Sequence, residues 1–225
     1  MLSTTSYAVL GMLAIRPWSA YELTKQMRRS LAYCWPKAES VLYDEPKRLA
    51  RLGLATVTAE ASSTGQARSR AVYAITPDGE RVLRNWLATE PAPPRFESEP
   101  ALRLLFADHG SANDLLRTVE SVQSWVRAEA VRGRDQVQDY RDGGGPFPQR
   151  RHISVLFADL YARMFAAIND WASEARAEIA TWPDTRDLGL TDGTRGRITN
   201  IIARIDGVLA HGDPAQGGPY DNSVL

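Results

Sequence analysis

The sequence predicts a mainly α fold with a small β-wing, built as two parts. Three observations predict it. Apolar residues recur at helical spacing through most of residues 98–210. Two β-branched, alternating runs, "LATVTAE" and "SRAVYAIT", flank a glycine turn inside the first 90 residues. A stretch with four prolines, "ATEPAPPRFESEP" at residues 88–100, makes a stiff connector between the two parts.

The elements follow in order. A first helix is expected over residues 6–15, ended by "RPW". Ser19 then stands as an N-cap with Glu22 three positions on, a capping-box spacing, so a second helix runs to Met27 or Leu31. The third is "ESVLYDEPKRLARLG", stopped by Gly53. The hairpin follows, with "SSTGQAR" as its turn. Thr76 caps a fourth helix, "PDGERVLRNWL", whose first residue is Pro77.

Beyond the connector, a short helix is expected over residues 98–107. Residues 112–141 carry Leu115, Val119, Val122, Val126 and Val137 on one stripe, and "DGGGPFP" breaks the pattern. Residues 151–180 carry Ile153, Phe157, Leu160, Met164, Ile168, Trp171 and Ile179 at helical spacing. Two long helices with narrow apolar seams pair with each other or with another chain. After the loop "PDTRDLGLTDG", residues 194–210 form a last helix with Ile198, Ile201, Ile202, Ile205 and Leu209. This divides the chain into residues 1–90, residues 91–210 and a Gly/Pro-rich tail at residues 211–225 that is expected to be disordered.

Three helices followed by a two-stranded wing is the order of a winged helix-turn-helix, whose third helix enters the major groove of DNA. A helical wheel at about 100° per residue puts Val41, Leu42, Leu49 and Leu52 on one side of the third helix. Ser40, Tyr43, Asp44, Lys47 and Arg51 fall on the other, with Arg48 at its edge and Glu45 toward the apolar side. Hydroxyls and cations on one face are what phosphate and base-edge contacts need. Gln66, Arg68 and Arg70 around the wing turn can grip phosphate. Lys37, just before the helix, joins them as a candidate DNA contact. Pro46 lies within this helix, at the border of its apolar face. Either a single helix kinks between Leu42 and Pro46, or the helix restarts with Asp44 as N-cap. The unbroken apolar face from Leu42 to Leu52 favours the kinked single helix.

Net charge is zero over 225 residues, but it is unevenly spread. Residues 1–90 hold 12 Lys/Arg against 8 Asp/Glu, a balance of +4, and residues 91–225 hold 15 against 19, a balance of −4. The excess sits on the part expected to meet an anion. Catalytic and metal-binding classes find no support. His109, His152 and His211 are scattered, Cys34 is the single cysteine, and no Gly-rich phosphate loop or nucleophile elbow is present. No cofactor is implied. The start has no basic n-region or cleavage site and no apolar run is long enough to span a bilayer, so a cytoplasmic protein with no membrane partner is expected.

Several short motifs, in order, resemble the PadR family of transcriptional regulators: "VLGML" (9–13), "YEL" (21–23), Trp35, "SVLY" (40–43), "RLARLGL" (48–54), "VYAIT" (72–76) and "RNWL" (84–87). The helical part resembles that of virulence-activator-type members by pattern and length. The resemblance implies a homodimeric, often repressing regulator of double-stranded DNA whose C-terminal helices swap across the dimer. It implies recognition-helix contacts from Ser40, Tyr43 and Lys47, and wing contacts from Arg68 and Arg70. It also implies an aromatic or planar effector near Trp86, against which stands Trp86 as packing between the two parts. The chain departs from the family pattern at Ala20, where Gly is usual before "YEL", and at Asp44 and Pro46, where a "YPxL" pattern has Pro and Leu. A ligand-sensing or protein-interaction dimer that does not bind DNA is the alternative, because the Asp44 carboxylate would repel phosphate.

Overall fold

Helix α1 spans Thr4–Leu13 and begins earlier than the residues 6–15 expected from sequence. Ser3 is the reason. Its Oγ accepts from the Ser6 amide at 3.2 Å, and the Ser6 hydroxyl accepts from the Ser3 amide at 3.0 Å. This reciprocal capping box satisfies two amides that a helix start otherwise leaves unpaired. A two-residue strand β1, Trp18–Ser19, leads into helix α2, Ala20–Ser30. Ser19 and Glu22 form the second capping box, as the spacing predicts. Helix α3 spans Glu39–Arg51, and Gly53 at φ 72° provides the left-handed residue that ends it. Strands β2, Ala55–Glu60, and β3, Arg70–Ile75, pair antiparallel from Ala55↔Ile75 to Glu60↔Arg70. β1 adds to the other edge of β3, with Trp18 opposite Tyr73, giving the order β1-β3-β2. Helix α4, Pro77–Leu87, starts at the predicted cap: the Thr76 hydroxyl accepts from the Gly79 amide at 3.1 Å.

The structure, a computed structural model, describes residues 1–60, 70–186 and 188–211. The chain forms two compact units, Met1–Arg95 and Phe96–Leu225. Gln66, Arg68 and the tail from residue 212 lie outside the described residues.

The core of the first unit is built from Val9, Leu10, Leu13, Leu23, Met27, Leu42 and Leu49, all almost fully buried. Each such side chain contributes about 1.5–3 kcal/mol by leaving water. Trp18 closes one end, where its indole Nε1 donates to the Met12 carbonyl at 2.8 Å. Gly79 lets the start of α4 sit against the backbone of Leu54, between α3 and β2. A Cβ there would collide with the Leu54 carbonyl oxygen and lie 2.9 Å from Ile75 Cγ1.

In the second unit a short helix α5, Glu99–Leu105, and a single 3₁₀ turn, Ala107–His109, precede helix α6, Ala112–Arg141. Helix α7, Arg151–Ile179, packs along α6. Leu115 and Val119 of α6 meet Ala172, Ala175 and Ile179 of α7, with Trp171 and Trp182 at the margin. Trp125 packs edge-on against Phe165 at 5.6 Å. The predicted stripes are therefore only partly used within the chain. Val137, Ile153, Phe157 and Leu160, expected at the seam, are exposed. Helix α8, Asp192–His211, leaves Ile198, Ile201, Ile202, Ile205, Val208 and Leu209 exposed. Among the described residues no helix is long and apolar enough to cross a membrane.

Candidate nucleic-acid interface

Helix α3 is one unbroken helix with Pro46 inside it. The Asp44 carboxylate does not cap a restart; its Oδ1 accepts from Lys47 Nζ at 2.7 Å. The Pro46 ring is fully buried among the core residues of the first unit. The ring therefore lies on the body side of the helix. Leu42 and Leu49, one turn either side, are buried with it at 2% and 0% exposure. The wheel misplaced two residues. Val41 and Leu52 are 46% and 52% exposed, because the contact made by α1 and α2 is narrower than the apolar arc drawn on the wheel.

The opposite face is open. Ser40, Tyr43, Asp44, Lys47 and Arg51 are all exposed, in a row along about three turns of helix. Lys47 Nζ also sits 4.5 Å from the centre of the Tyr43 ring, a cation–π contact. The hydrogen bond to Asp44 is the main reason its pKa is raised above the ordinary lysine range, so Lys47 is a cation throughout the physiological range. Lys37 lies in the turn before α3, with Nζ 4.7 Å over the Trp35 ring. Trp35 is itself tied down, because its Nε1 donates to the Thr5 hydroxyl at 3.0 Å. The Arg28–Glu39 ion pair joins α2 to the first residue of α3.

Arg48 lies at the edge of this face, half-exposed. Its Nη1 donates to Ser6 Oγ at 3.2 Å and Glu45 Oε1 at 2.8 Å, and its Nη2 to the Met1 carbonyl at 3.3 Å. These partners turn the guanidinium toward α1. Arg70, at the start of β3, has Nη1 3.3 Å from Glu22 Oε1. It links the base of the wing to the α2 cap. The Ser19 hydroxyl chiefly, and then the Ser19 amide and the Arg70 and Arg16 charges, hold the Glu22 carboxyl below the usual range against the opposing effect of burial.

Trp86 near the end of α4 stacks on Tyr7 of α1, with ring centres 4.8 Å apart and planes within 5°. One face of the indole is thus occupied from within the first unit, and Trp86 remains 36% exposed. The Tyr7 contact and the Arg48–Ser6 contact were invisible in the sequence. Each joins residues far apart in the chain, and neither leaves a local spacing signal. No cluster of metal-binding side chains occurs among the described residues.

Residues 9–85 match the model of the transcriptional regulator PadR-like family. The negative transcriptional regulator PadR of Bacillus subtilis is 29% identical over 101 residues, covering 44% of this chain and 54% of that protein. The match thus spans about half the length of that relative. The crystal structure of Bacillus subtilis PadR with operator DNA superposes with a TM-score of 0.68 at 20% identity, covering 79% of this chain and 99% of that one. The same protein with p-coumaric acid gives 0.59 at 19% identity, covering 81% and 100%. The virulence activator AphA of Vibrio cholerae gives 0.60 at 21% identity, covering 79% and 98%. These likenesses establish a shared fold, helical second part included. Residues 9–85 are thus similar to the transcriptional regulator PadR-like family, a match over about a third of the chain.

Proposed function

We propose that the protein is a sequence-specific DNA-binding repressor that acts as a homodimer on a pseudo-palindromic operator. The observation that carries this reading is the division of α3. Leu42, Pro46 and Leu49 anchor one side, while Ser40, Tyr43, Asp44, Lys47 and Arg51 stand exposed on the other. That is the arrangement a helix needs to be held firmly while its polar face enters a major groove. Arg51, Lys37 and Arg70 supply phosphate contacts, with Gln66 and Arg68 of the wing turn in the same role. Ser40, Tyr43 and Lys47 supply register and base contacts. Arg48 stands at the edge of this face as a further candidate contact, with three of its five N–H donors on Ser6, Glu45 and the Met1 carbonyl.

A second copy of this chain is the partner for the exposed apolar stripe of α8. Six large aliphatic side chains in one helix, all at least 44% exposed, form a patch that a lone chain would leave in water. A dimer that reads a pseudo-palindrome needs its two copies of α3 about 34 Å apart, or a multiple of that, to meet successive grooves. An aromatic effector fits the same scheme, since Bacillus subtilis PadR has been solved with p-coumaric acid. In this chain it would meet only the outer face of Trp86, since Tyr7 covers the other. It would release DNA only by binding the DNA-free dimer more tightly.

One observation favours the alternative of a dimer that does not bind DNA: Asp44 neutralises Lys47 on the very face offered to the groove. A mobility-shift assay with duplexes from the chain's own upstream region separates the two readings. Retarded complexes at low salt, lost as salt rises, support the regulator. Absence of any complex at low salt overturns it.

A further inference from the structure

The Asp44–Lys47 pair raises a question that the DNA-binding reading does not answer. A carboxylate that faces a polyanion lowers affinity, yet this one stands 71% exposed at the middle of the polar face. It is not spent on the backbone, because it caps no helix start. It is bound to a cation one turn on, with Oδ1 to Nζ at 2.7 Å, and that cation rests over Tyr43. The pair therefore presents a donor and an acceptor side by side, held in a fixed relation, to whatever the helix faces.

Phosphate cannot use the acceptor. Among base edges in the major groove, only the cytosine N4 and adenine N6 amines can donate to it. The order of groups across each base pair decides between them. Across G·C the groove shows guanine N7 and O6, both acceptors, and then the cytosine N4 donor. A cation beside an anion matches that order. The ammonium can take N7 and O6 together while the carboxylate takes the N4 hydrogen left over from base pairing. The spacing fits as well. O6 and N4 are hydrogen-bonded to each other at about 2.9 Å, close to the 2.7 Å between Nζ and Oδ1. Across A·T the amine lies between two acceptors, N7 and O4, with the thymine methyl beyond. A carboxylate there meets the N7 lone pair, and the ammonium finds a single acceptor beside a methyl group.

Resting on the reading of α3 as a groove-entering helix, we propose that Asp44 and Lys47 act together to read one C·G base pair in each half-site. Asp44 is the specificity-determining residue of the two. It lowers affinity for duplex in general and returns it where an amine is correctly placed, which is how a repulsive group sharpens discrimination. Tyr43 positions the ammonium from beneath.

The test is selection of binding sites by the full chain from a pool of random duplexes, followed by affinity measurements on the selected site. The variants are Asp44→Ala and Asp44→Asn. The wild type is expected to prefer C·G at one position of each half-site by about 5- to 150-fold over other pairs, the range for a good two-point base contact. Asp44→Ala should flatten that position alone and bind non-specific duplex more tightly than the wild type. Asp44→Asn should move the preference there toward adenine, whose N6 and N7 an amide matches. If the wild type binds duplex but no position changes in either variant, the assignment of Asp44 fails and the DNA-binding reading stands. If the wild type selects no duplex, both fall together. Asp44 is exposed and makes no core contact, so neither substitution puts folding at issue.

Discussion

Arg48 holds Glu45 at 2.8 Å on the side of α3 that faces α1, where the Glu45 side chain is only 11% exposed. A carboxylate so placed needs its counter-charge, and Arg48 also satisfies Ser6 Oγ at 3.2 Å. Arg48→Ala removes both partners at once. It is expected to destabilise the first unit by about 1–3 kcal/mol, the cost of stranding buried polar groups. Urea titration measures the loss.

Pro46 invites the opposite expectation. In a helix interior proline costs about 3 kcal/mol through its lost donor and ring clash. Alanine would restore the donor but remove two buried carbons, worth about 0.8 kcal/mol each, and leave a small cavity. The terms nearly cancel. Pro46→Ala should therefore melt within a few degrees of the wild type, at or above it. A loss of more than about 2 kcal/mol would mean that the ring fills a space nothing else can fill.

Those two residues also mark what the sequence could and could not reveal. Capping boxes and N-caps at Ser19, Glu22, Thr76 and Pro77 were legible because each is decided within four residues. The polar row from Ser40 to Arg51 was legible because helical phase alone separates it from Leu42 and Leu49. Val41 and Leu52 were assigned to the core because phase does not give the width of the contact with α1 and α2. β1 went unseen because two residues show no alternation. The contacts of Arg48 with Ser6 and of Trp86 with Tyr7 were not legible, because those partners come from a helix many residues earlier. In the second unit the helices were legible, but which of their apolar residues remain exposed depends on packing that periodicity does not encode.

Acid should act on the first unit through Glu22. Its folded pKa lies below the unfolded value, chiefly through the Ser19 hydroxyl. The stabilisation is complete above the ordinary glutamate pKa of about 4.3 and is lost as pH falls through the lower folded value. Thermal melts between neutral pH and about pH 3 should show a falling midpoint. Ser19→Ala should flatten this fall, because it removes the main cause of the shift. An identical pH profile in wild type and variant would deny the cap that role.

The apolar stripe of α8 bears on assembly. Ile202 and Ile205 are each 54% exposed, so charging them leaves the core of their own unit untouched. The double variant Ile202→Glu, Ile205→Glu should sediment as a monomer with its helical content intact, while the wild type sediments as a dimer. A dimer in both would place the interface elsewhere.

The claim that the exposed face of α3 meets DNA is tested most directly by the salt dependence of duplex binding. Arg51, exposed in the last turn of α3, is the substitution to make, and Arg163 of α7 is the control. Log affinity should fall linearly with log salt for the wild type. Arg51→Ala should weaken binding across duplex sequences and reduce that slope by about one unit, while Arg163→Ala keeps the wild-type line. A slope unchanged by Arg51→Ala would contradict the account and take this face of α3 out of the interface.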